Sequence, residues 1–502
     1  MKLLYSISKL AAVVTLGMTA WAACAEPAHP SNEPPCGSGG CAGEGRSFGG
    51  SAGTTDAAGQ GSLGSPTNAG DGGGVSDIPR GEGGEGGEGG EAGDFKPEVV
   101  DQKALAVNIL ADSDLATTKK LCADILSDGF NAGSGYPQVW IRDFNTFVEV
   151  LLDYNPAAPV REGLLRFFHF QGLDLVSYGG LSGNIADTCD DSMGGNPSKN
   201  TAETDQETSL IQAVRKYVDK TGDRAILNEI VDGETVSDRM GDALDYLLTN
   251  RFSEKYRLLW GATTADWGDN QPEDMPGASL DSLTHPAIDI YDNAMFILAL
   301  RDYIALTGDP SGKWRRVMDE ARTNARKYMW DGRKFVPHVY LDRGSPFSFQ
   351  AFFDETTIFY HGGTAVAMEA GLLSQSEVGW SLRQMRADRL AAGAQTIGLN
   401  QYPPYPLHFF ANPAQTAPYT YQNAGDWPWF GGRTIQQLIK FGFVKEAYDE
   451  LRPMLKLFVR DNGISEWYTP GGAPQGSPKF KGAAGTVGKA ISLLETWAKN
   501  VN

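Results

Sequence analysis

The sequence predicts an all-α body, a closed (α/α)6 toroid, set behind an export signal and a glycine-rich tether. Three observations predict it. Apolar residues recur at helical spacing along the chain from residue 96 to 502. Of 61 glycines, 23 lie between Gly37 and Gly93, so the glycine excess belongs to a separate segment and the body has ordinary globular composition. Long loops rich in Trp, Gly, Pro and Asp separate the helices, with no 34-residue self-similarity of a stacked solenoid. A double ring of six hairpins fits that pattern, because it collects one set of loops around a central pocket.

Residues 1–24 are read as a signal peptide. Lys2 and Lys9 form a positive start, and Leu10 to Ala23 is an apolar run ending in small residues, too short for a spanning helix. Two readings of its end stay open. Trp21-Ala22-Ala23-Cys24 looks like a bacterial lipobox, which would acylate Cys24; the other reading is ordinary cleavage near Ala22 or Ala25. Either way the chain is expected to be exported, to a bacterial envelope, the periplasm or the medium, with a lipid on Cys24 as its only membrane contact. Residues 25–95, including GEGGEGGEGGEAG, lack the large apolar side chains whose burial offsets chain entropy, and are predicted to be a disordered tether. Cys36 and Cys41 in CGSGGC are close enough for a local disulfide. Cys122 and Cys189 form a possible second pair in the body, and this even count suits an oxidising compartment.

The body, residues 96–502, is expected to be one monomeric domain of about twelve helices. In 204–220 Leu210, Ile211, Val214, Tyr217 and Val218 form one stripe, and Thr-Gly-Asp stops it at 221–223. The same tripeptide at 307–309 stops a helix over 292–306, its Gly supplying the left-handed cap. Further helices are predicted at 101–110, 115–127, 237–249, 313–329, 363–370, 377–391, 433–441, 444–459 and 485–500. A formal charge of -19 argues against a nucleic-acid partner, which needs clustered cations. With 6 His, none in a His-x-x-x-His cluster, no catalytic metal is expected.

Four loops carry candidate chemistry. In Tyr136-Pro-Gln-Val-Trp-Ile-Arg-Asp143, Trp140 offers an apolar face to a sugar ring while Arg142 and Asp143 offer hydrogen bonds; a buried ion pair pinning the loop is the plain alternative. In the segment from Trp260 to Pro272, Asp266 and Asp269 flank Trp267 and Gly268. A general acid needs desolvation or a neighbouring carboxylate to hold its proton near neutral pH, and this loop offers both. An Asp-rich turn is the alternative there, and the EF-hand ligand pattern is absent. Tyr421-Gln422-Asn423-Ala-Gly-Asp426-Trp427-Pro-Trp429 resembles a sugar-stacking wall with polar neighbours, or else aromatic packing beneath a loop. Glu466 in Ser-Glu-Trp467-Tyr468, before a Gly/Pro loop, is suited to hold a water as general base; a surface or capping role is the alternative.

As an ordered set, VWIRD, DWGDN, YQNAGDWPW and SEWY resemble the six-hairpin glycosidases. The likeness is nearest to the glucosidase domain of glycogen-debranching enzymes and related α-glucosidases, with trehalase-like and processing-glucosidase-like enzymes close behind. It covers the chain from about residue 100 onward. In those families the acid is an Asp in a loop of the form TWMD or GLDN, which Trp267-Gly268-Asp269-Asn270 matches. The resemblance thus implies Asp269 as general acid, Asp266 as its fallback and Glu466 as general base. It also implies sugar contacts at Trp140, Arg142, Asp143, Trp427, Trp429 and Trp467. The reaction implied is inverting, exo-acting hydrolysis of an α-glucoside or related oligosaccharide without a cofactor, its two carboxyls about 6.5–9.5 Å apart. Three rivals stay open. A phosphorylase is hinted at by His361-Gly362-Gly363. A lyase is disfavoured because the acidic loops would repel an acidic sugar. A glycan-binding lipoprotein would keep the Trp residues without needing the acid/base pair.

Overall fold

The computed structural model describes residues 95–172, 183–190, 197–273, 275, 277–341 and 353–501. The segments expected to be a signal peptide and a tether, with Cys24, Cys36 and Cys41, lie at 1–94, outside the described residues.

Thirteen α-helices occur among the described residues: α1 (Gln102–Ala111), α2 (Ser113–Leu126), α3 (Ile141–Leu151), α4 (Ala157–His169), α5 (Asp205–Thr221), α6 (Val236–Asn250), α7 (Ile290–Thr307), α8 (Lys313–Met329), α9 (His361–Glu369), α10 (Gln375–Ala392), α11 (Pro428–Lys440), α12 (Val444–Asp461) and α13 (Lys481–Val501). From α3 onward the odd-numbered helices pack in a circle: α3 on α5, α5 on α7, α7 on α9, α9 on α11, α11 on α13, and α13 back on α3. The even-numbered helices lie outside them, α2 against α3 and α13, α4 against α5, α6 against α5 and α7, α8 against α7, α10 against α9 and α12 against α11, so six inner and six outer helices close a ring. This is the (α/α)6 toroid, with α1 added against α13.

Side-chain patterning separates the two layers. Helix α7 is buried on every side from Ile290 to Leu300 and α5 from Asp205 to Val214, as inner staves must be. Helix α8 buries only Trp314, Ala321, Ala325 and Met329, a single stripe, and gives its charged face to water. Gly222 (φ 73) and Gly308 (φ 83) close α5 and α7 as the two Thr-Gly-Asp tripeptides predict.

Three differences from the expected elements have physical causes. Helix α3 begins within the loop foreseen at 136–143, so Arg142 and Asp143 belong to the first turn of an inner helix, and α4 falls where no helix was foreseen. Helices α11 and α13 start before their glycines, because those glycines are contact points between staves. A Cβ on Gly432 would lie 2.8–2.9 Å from Thr486, and one on Gly485 would overlap the Phe147 Cβ. Cys122 and Cys189 are not joined as a disulfide. Cys122 lies in α2, close to Gly488 of α13, whereas Cys189 lies on a short strand opposite Val139. Burial pushes the Cys122 thiol up to about 12, which keeps it protonated and inert.

The connections are unequal at the two ends of the ring. Turns 152–156, 308–312, 370–374 and 441–443 are short, while 127–140, 251–289, 330–360, 393–427 and 462–480 are long. All the long ones enter an inner helix at its N-terminus. Two-stranded antiparallel pairs brace them, such as Gln138–Trp140 with Thr188–Asp190 and Trp467–Tyr468 with Pro474–Gln475. Functional groups on those loops therefore converge at one end of the ring.

Candidate active site

That end holds a pocket whose empty space, open mouth included, is about 490 Å3. Its lining comes from five segments. Tyr136, Trp140, Arg142 and Asp143 precede or open α3; Asp187 and Glu203 precede α5; Trp267 and Asp269 precede α7. Tyr421, Gln422, Trp427 and Trp429 surround the start of α11, and Glu466 and Phe480 precede α13. Unpaired N–H groups and aligned peptide dipoles make helix N-termini electropositive, which favours carboxylates gathered there.

Arg142 organises one side. Its Nε lies 2.5 Å from Asp205 Oδ2, its Nη1 2.7 Å from Asp269 Oδ1, and its Nη2 pairs with Glu203. Asp269 also accepts from the Tyr421 hydroxyl at 2.8 Å, and its backbone N–H donates to Gln422 Oε1 at 3.0 Å. Although burial works the other way, the guanidinium, Glu203 and Tyr421 together bring the Asp269 pKa below its ordinary value. Glu466 sits in contrasting surroundings. Its Oε2 accepts from the Tyr136 hydroxyl at 2.8 Å and the Ser477 N–H at 2.7 Å, and no cation among the described residues pairs with it. Burial raises it to about 7. Burial also raises Asp187 to about 7 and Asp143 well above the carboxylate range. Asp143 Oδ1, Trp140 Nε1 and Gln422 Nε2 are buried without a partner among the described residues, an acceptor and two donors of the kind sugar hydroxyls satisfy.

The expected residues divide into two groups. Asp269, Glu466, Trp140, Arg142, Asp143, Trp267, Gln422, Trp427 and Trp429 line the pocket; Asp266, Asn423, Asp426 and Trp467 do not. Trp267 stacks on Phe430 (4.3 Å, 16°) with the edges of Trp427 and Trp429 against it, so these three Trp form a buried floor. Trp467 stacks behind Trp427 at 6.5 Å. Asp426 accepts from the Thr396 N–H and hydroxyl, and Asn423 ties the loop to Tyr405. Asp266, at φ 57, turns away from Asp269, and its carboxylate accepts the Gly362 and Gly363 N–H groups at 2.7 and 2.8 Å. It is an anchor for the start of α9, and the carboxyl that shares a partner with Asp269 is Glu203, through Arg142.

Sequence reasoning missed Tyr136 and Tyr421 as ligands to the two carboxylates, and missed Asp187 and Glu203. Glu203 stands at a helix start, where acidic residues are ordinary and give no separate signal. The anchor also makes a prediction. An Ala at Gly362 would drive its Cβ into the Trp267 ring and set it 2.8 Å from Asp266 Oδ2. Chemical denaturation of Gly362→Ala is expected to show a loss of about 1–3 kcal/mol from overpacking.

No protein-family model matches the sequence, and no curated protein matches it. Solved structures do share the fold. A GH63 mannosylglycerate hydrolase from Thermus thermophilus, in complex with Tris and D-glycerate, matches 76% of this chain and 100% of its own at 15% identity, TM-score 0.55. An uncharacterized conserved protein from the same organism matches 76% of this chain and 99% of its own at 14% identity, TM-score 0.55. A rhamnosidase from Klebsiella oxytoca with rhamnose bound matches 75% of this chain and 63% of its own at 14% identity, TM-score 0.50.

Proposed function

We propose that this protein is an inverting glycoside hydrolase in which Asp269 protonates the leaving glycosidic oxygen and Glu466 activates the attacking water. The observation that carries this is the entry of Asp269 and Glu466 into one pocket from different loops, with the roles of acid and base taken from the sequence resemblance. A base with a pKa of about 7 is poised to take a proton near neutral pH while still being partly ionised. The aromatic floor suits the apolar face of a sugar ring. The fold shared with a mannosylglycerate hydrolase and a rhamnosidase agrees with this chemistry.

Hydrolysis is favoured over phosphorolysis by the charges. Among the described residues Arg142 is the only Lys or Arg lining the pocket, and Glu203, Asp205 and Asp269 already engage it. His361, the sequence hint of phosphate binding, is occupied on both ring nitrogens, by the Leu399 carbonyl and by Asp388. The same charges favour an uncharged sugar. An α-glucoside, cleaved from the non-reducing end, is the substrate the sequence resemblance supports. In this reading the tether holds the exported enzyme off an envelope surface.

A panel of α- and β-glycosides, with the first-formed product anomer read by NMR, tests the proposal. Hydrolysis of a neutral glycoside with inverted configuration is expected. Retention would sink the inverting mechanism, and binding without turnover across the panel would favour a glycan-binding protein.

A further inference from the structure

Asp269 is held from two sides by donors of different kinds. Arg142 Nη1 donates to its Oδ1 at 2.7 Å, and the Tyr421 hydroxyl donates to its Oδ2 at 2.8 Å. The guanidinium, paired with Glu203 and Asp205 as well, is a fixed cation that can only donate. Oδ1 thus faces a full positive charge and Oδ2 a neutral hydroxyl, so Oδ2 is the oxygen that can carry a proton. The Tyr421 backbone is left-handed, φ 46, a conformation that bulky side chains rarely adopt. Its carbonyl pins it there by accepting the Trp427 Nε1–H at 2.9 Å and the Gly425 N–H at 3.0 Å. The next residue, Gln422, takes the Asp269 N–H on its Oε1 at 3.0 Å, and its carbonyl accepts Asn400 Nδ2 at 2.7 Å. One loop therefore grips Asp269 by main chain and side chain, and the strained residue is the one whose hydroxyl meets the carboxylate.

We propose that Tyr421 is a positioning residue for proton delivery: its hydroxyl aims Asp269 Oδ2 at the leaving group and bonds most strongly to the carboxylate left when that oxygen gives up its proton. The inference rests on Asp269 being the general acid. In the reaction the proton on Oδ2 passes to the glycosidic oxygen, while the bond between C1 and that oxygen breaks with its electron pair on the leaving group. Water bonds to C1 and loses a proton to Glu466. That proton returns through solvent to Asp269, so the cycle closes with no co-reactant besides water. A hydroxyl that donates to a carboxylic acid makes an ordinary hydrogen bond, and one that donates to a carboxylate makes a charge-assisted bond about twice as strong. The gain therefore develops as the proton leaves, in the transition state, and is expressed in kcat rather than in KM. Burial and the nearby carboxylates push the Tyr421 hydroxyl well above the ordinary phenol value, which keeps it a neutral donor throughout.

Tyr421→Phe in the full chain tests the proposal, because it keeps the ring against Trp427 and removes only the hydroxyl. The first measurement compares an alkyl glycoside hydrolysed in the panel with the glycosyl fluoride of the same sugar, whose departure needs little protonation. In the variant kcat is expected to fall about 10- to 10²-fold on the alkyl glycoside and by less than about threefold on the fluoride. KM for the alkyl glycoside should stay within about threefold of wild type. The second measurement is a series of aryl glycosides. The variant's rate should depend more steeply on the leaving group's pKa than the wild-type rate does, because a poorer acid leaves more charge on the departing oxygen. Equal loss on alkyl glycoside and fluoride, or an unchanged slope, would overturn the proposal and leave Tyr421 a packing role. Replacing Tyr421 by 3-fluorotyrosine keeps the ring and makes the hydroxyl a stronger donor; a shallower slope than wild type is expected, and a steeper one would also overturn the proposal. Asp269→Asn, run alongside, separates the two claims: full activity of that variant on the alkyl glycoside would remove the acid assignment itself.

Discussion

Glu466→Gln is expected to lose about 10³-fold in kcat and to become more stable than wild type under alkaline conditions. Both effects come from the same placement. The Glu466 carboxyl is buried and accepts from the Tyr136 hydroxyl and the Ser477 N–H through one oxygen. An amide oxygen accepts both, so the variant keeps the contacts and loses only the base. Burial moves this group from 4.5 to about 7. Between those values the folded protein binds more protons than the unfolded chain. The stability from this group is therefore complete below the unfolded value and is lost as pH rises through about 7. A rise of that size corresponds to roughly 3 kcal/mol. Glutamine has no proton to lose, so its melting temperature should exceed that of wild type at about pH 8, with the difference shrinking towards about pH 5. In wild type the same ionisation sets the acid limb of kcat/KM at about 7. A variant differing from wild type by the same amount at both values would mean that Glu466 keeps its unfolded pKa in the folded protein and is largely ionised at both.

Residues whose local pattern agrees with their tertiary role were legible in the sequence. Gly222 and Gly308 read as helix stops and are helix stops. Asp269 and Glu466 stood out through aromatic neighbours and motif order, and they line one pocket. Residues with two competing readings were less legible. Gly432 and Gly485 look like breakers, yet they lie inside helices because neighbouring staves approach too closely for a Cβ. The segment at Arg142 carried a binding motif on an inner helix buried nearly all round, which lacks the one-sided stripe that betrays an outer helix. Asp266 and Asp269 stand three residues apart with similar neighbours. Only the left-handed backbone at Asp266 sends one to the α9 N-terminus and the other into the pocket. The Trp residues pose the same difficulty, since a ring flooring a pocket and a ring under a loop have one composition.

Arg142→Met is the substitution expected to damage the fold most. Among the described residues it removes the only cation paired with Glu203, Asp205 and Asp269, while keeping much of the aliphatic stem. Breaking one partner of a buried charge cluster leaves the others uncompensated and costs about 3–5 kcal/mol. The pH dependence identifies the cause. In wild type Asp269 is held below its ordinary pKa, so its pairing contributes stability above the unfolded value and loses it as pH falls. In the variant the carboxyls face one another without a counter-ion, their folded pKa values rise, and stability is regained as pH falls and they take up protons. The difference between the two proteins in denaturant unfolding should therefore narrow on acidification from about pH 8 to about pH 5. A pH-independent difference would assign the loss to packing. Arg142→Lys should fall between the two, because an ammonium supplies the charge but not the planar fork that reaches three carboxylates together. If Lys matched Arg, net charge alone would account for the cluster.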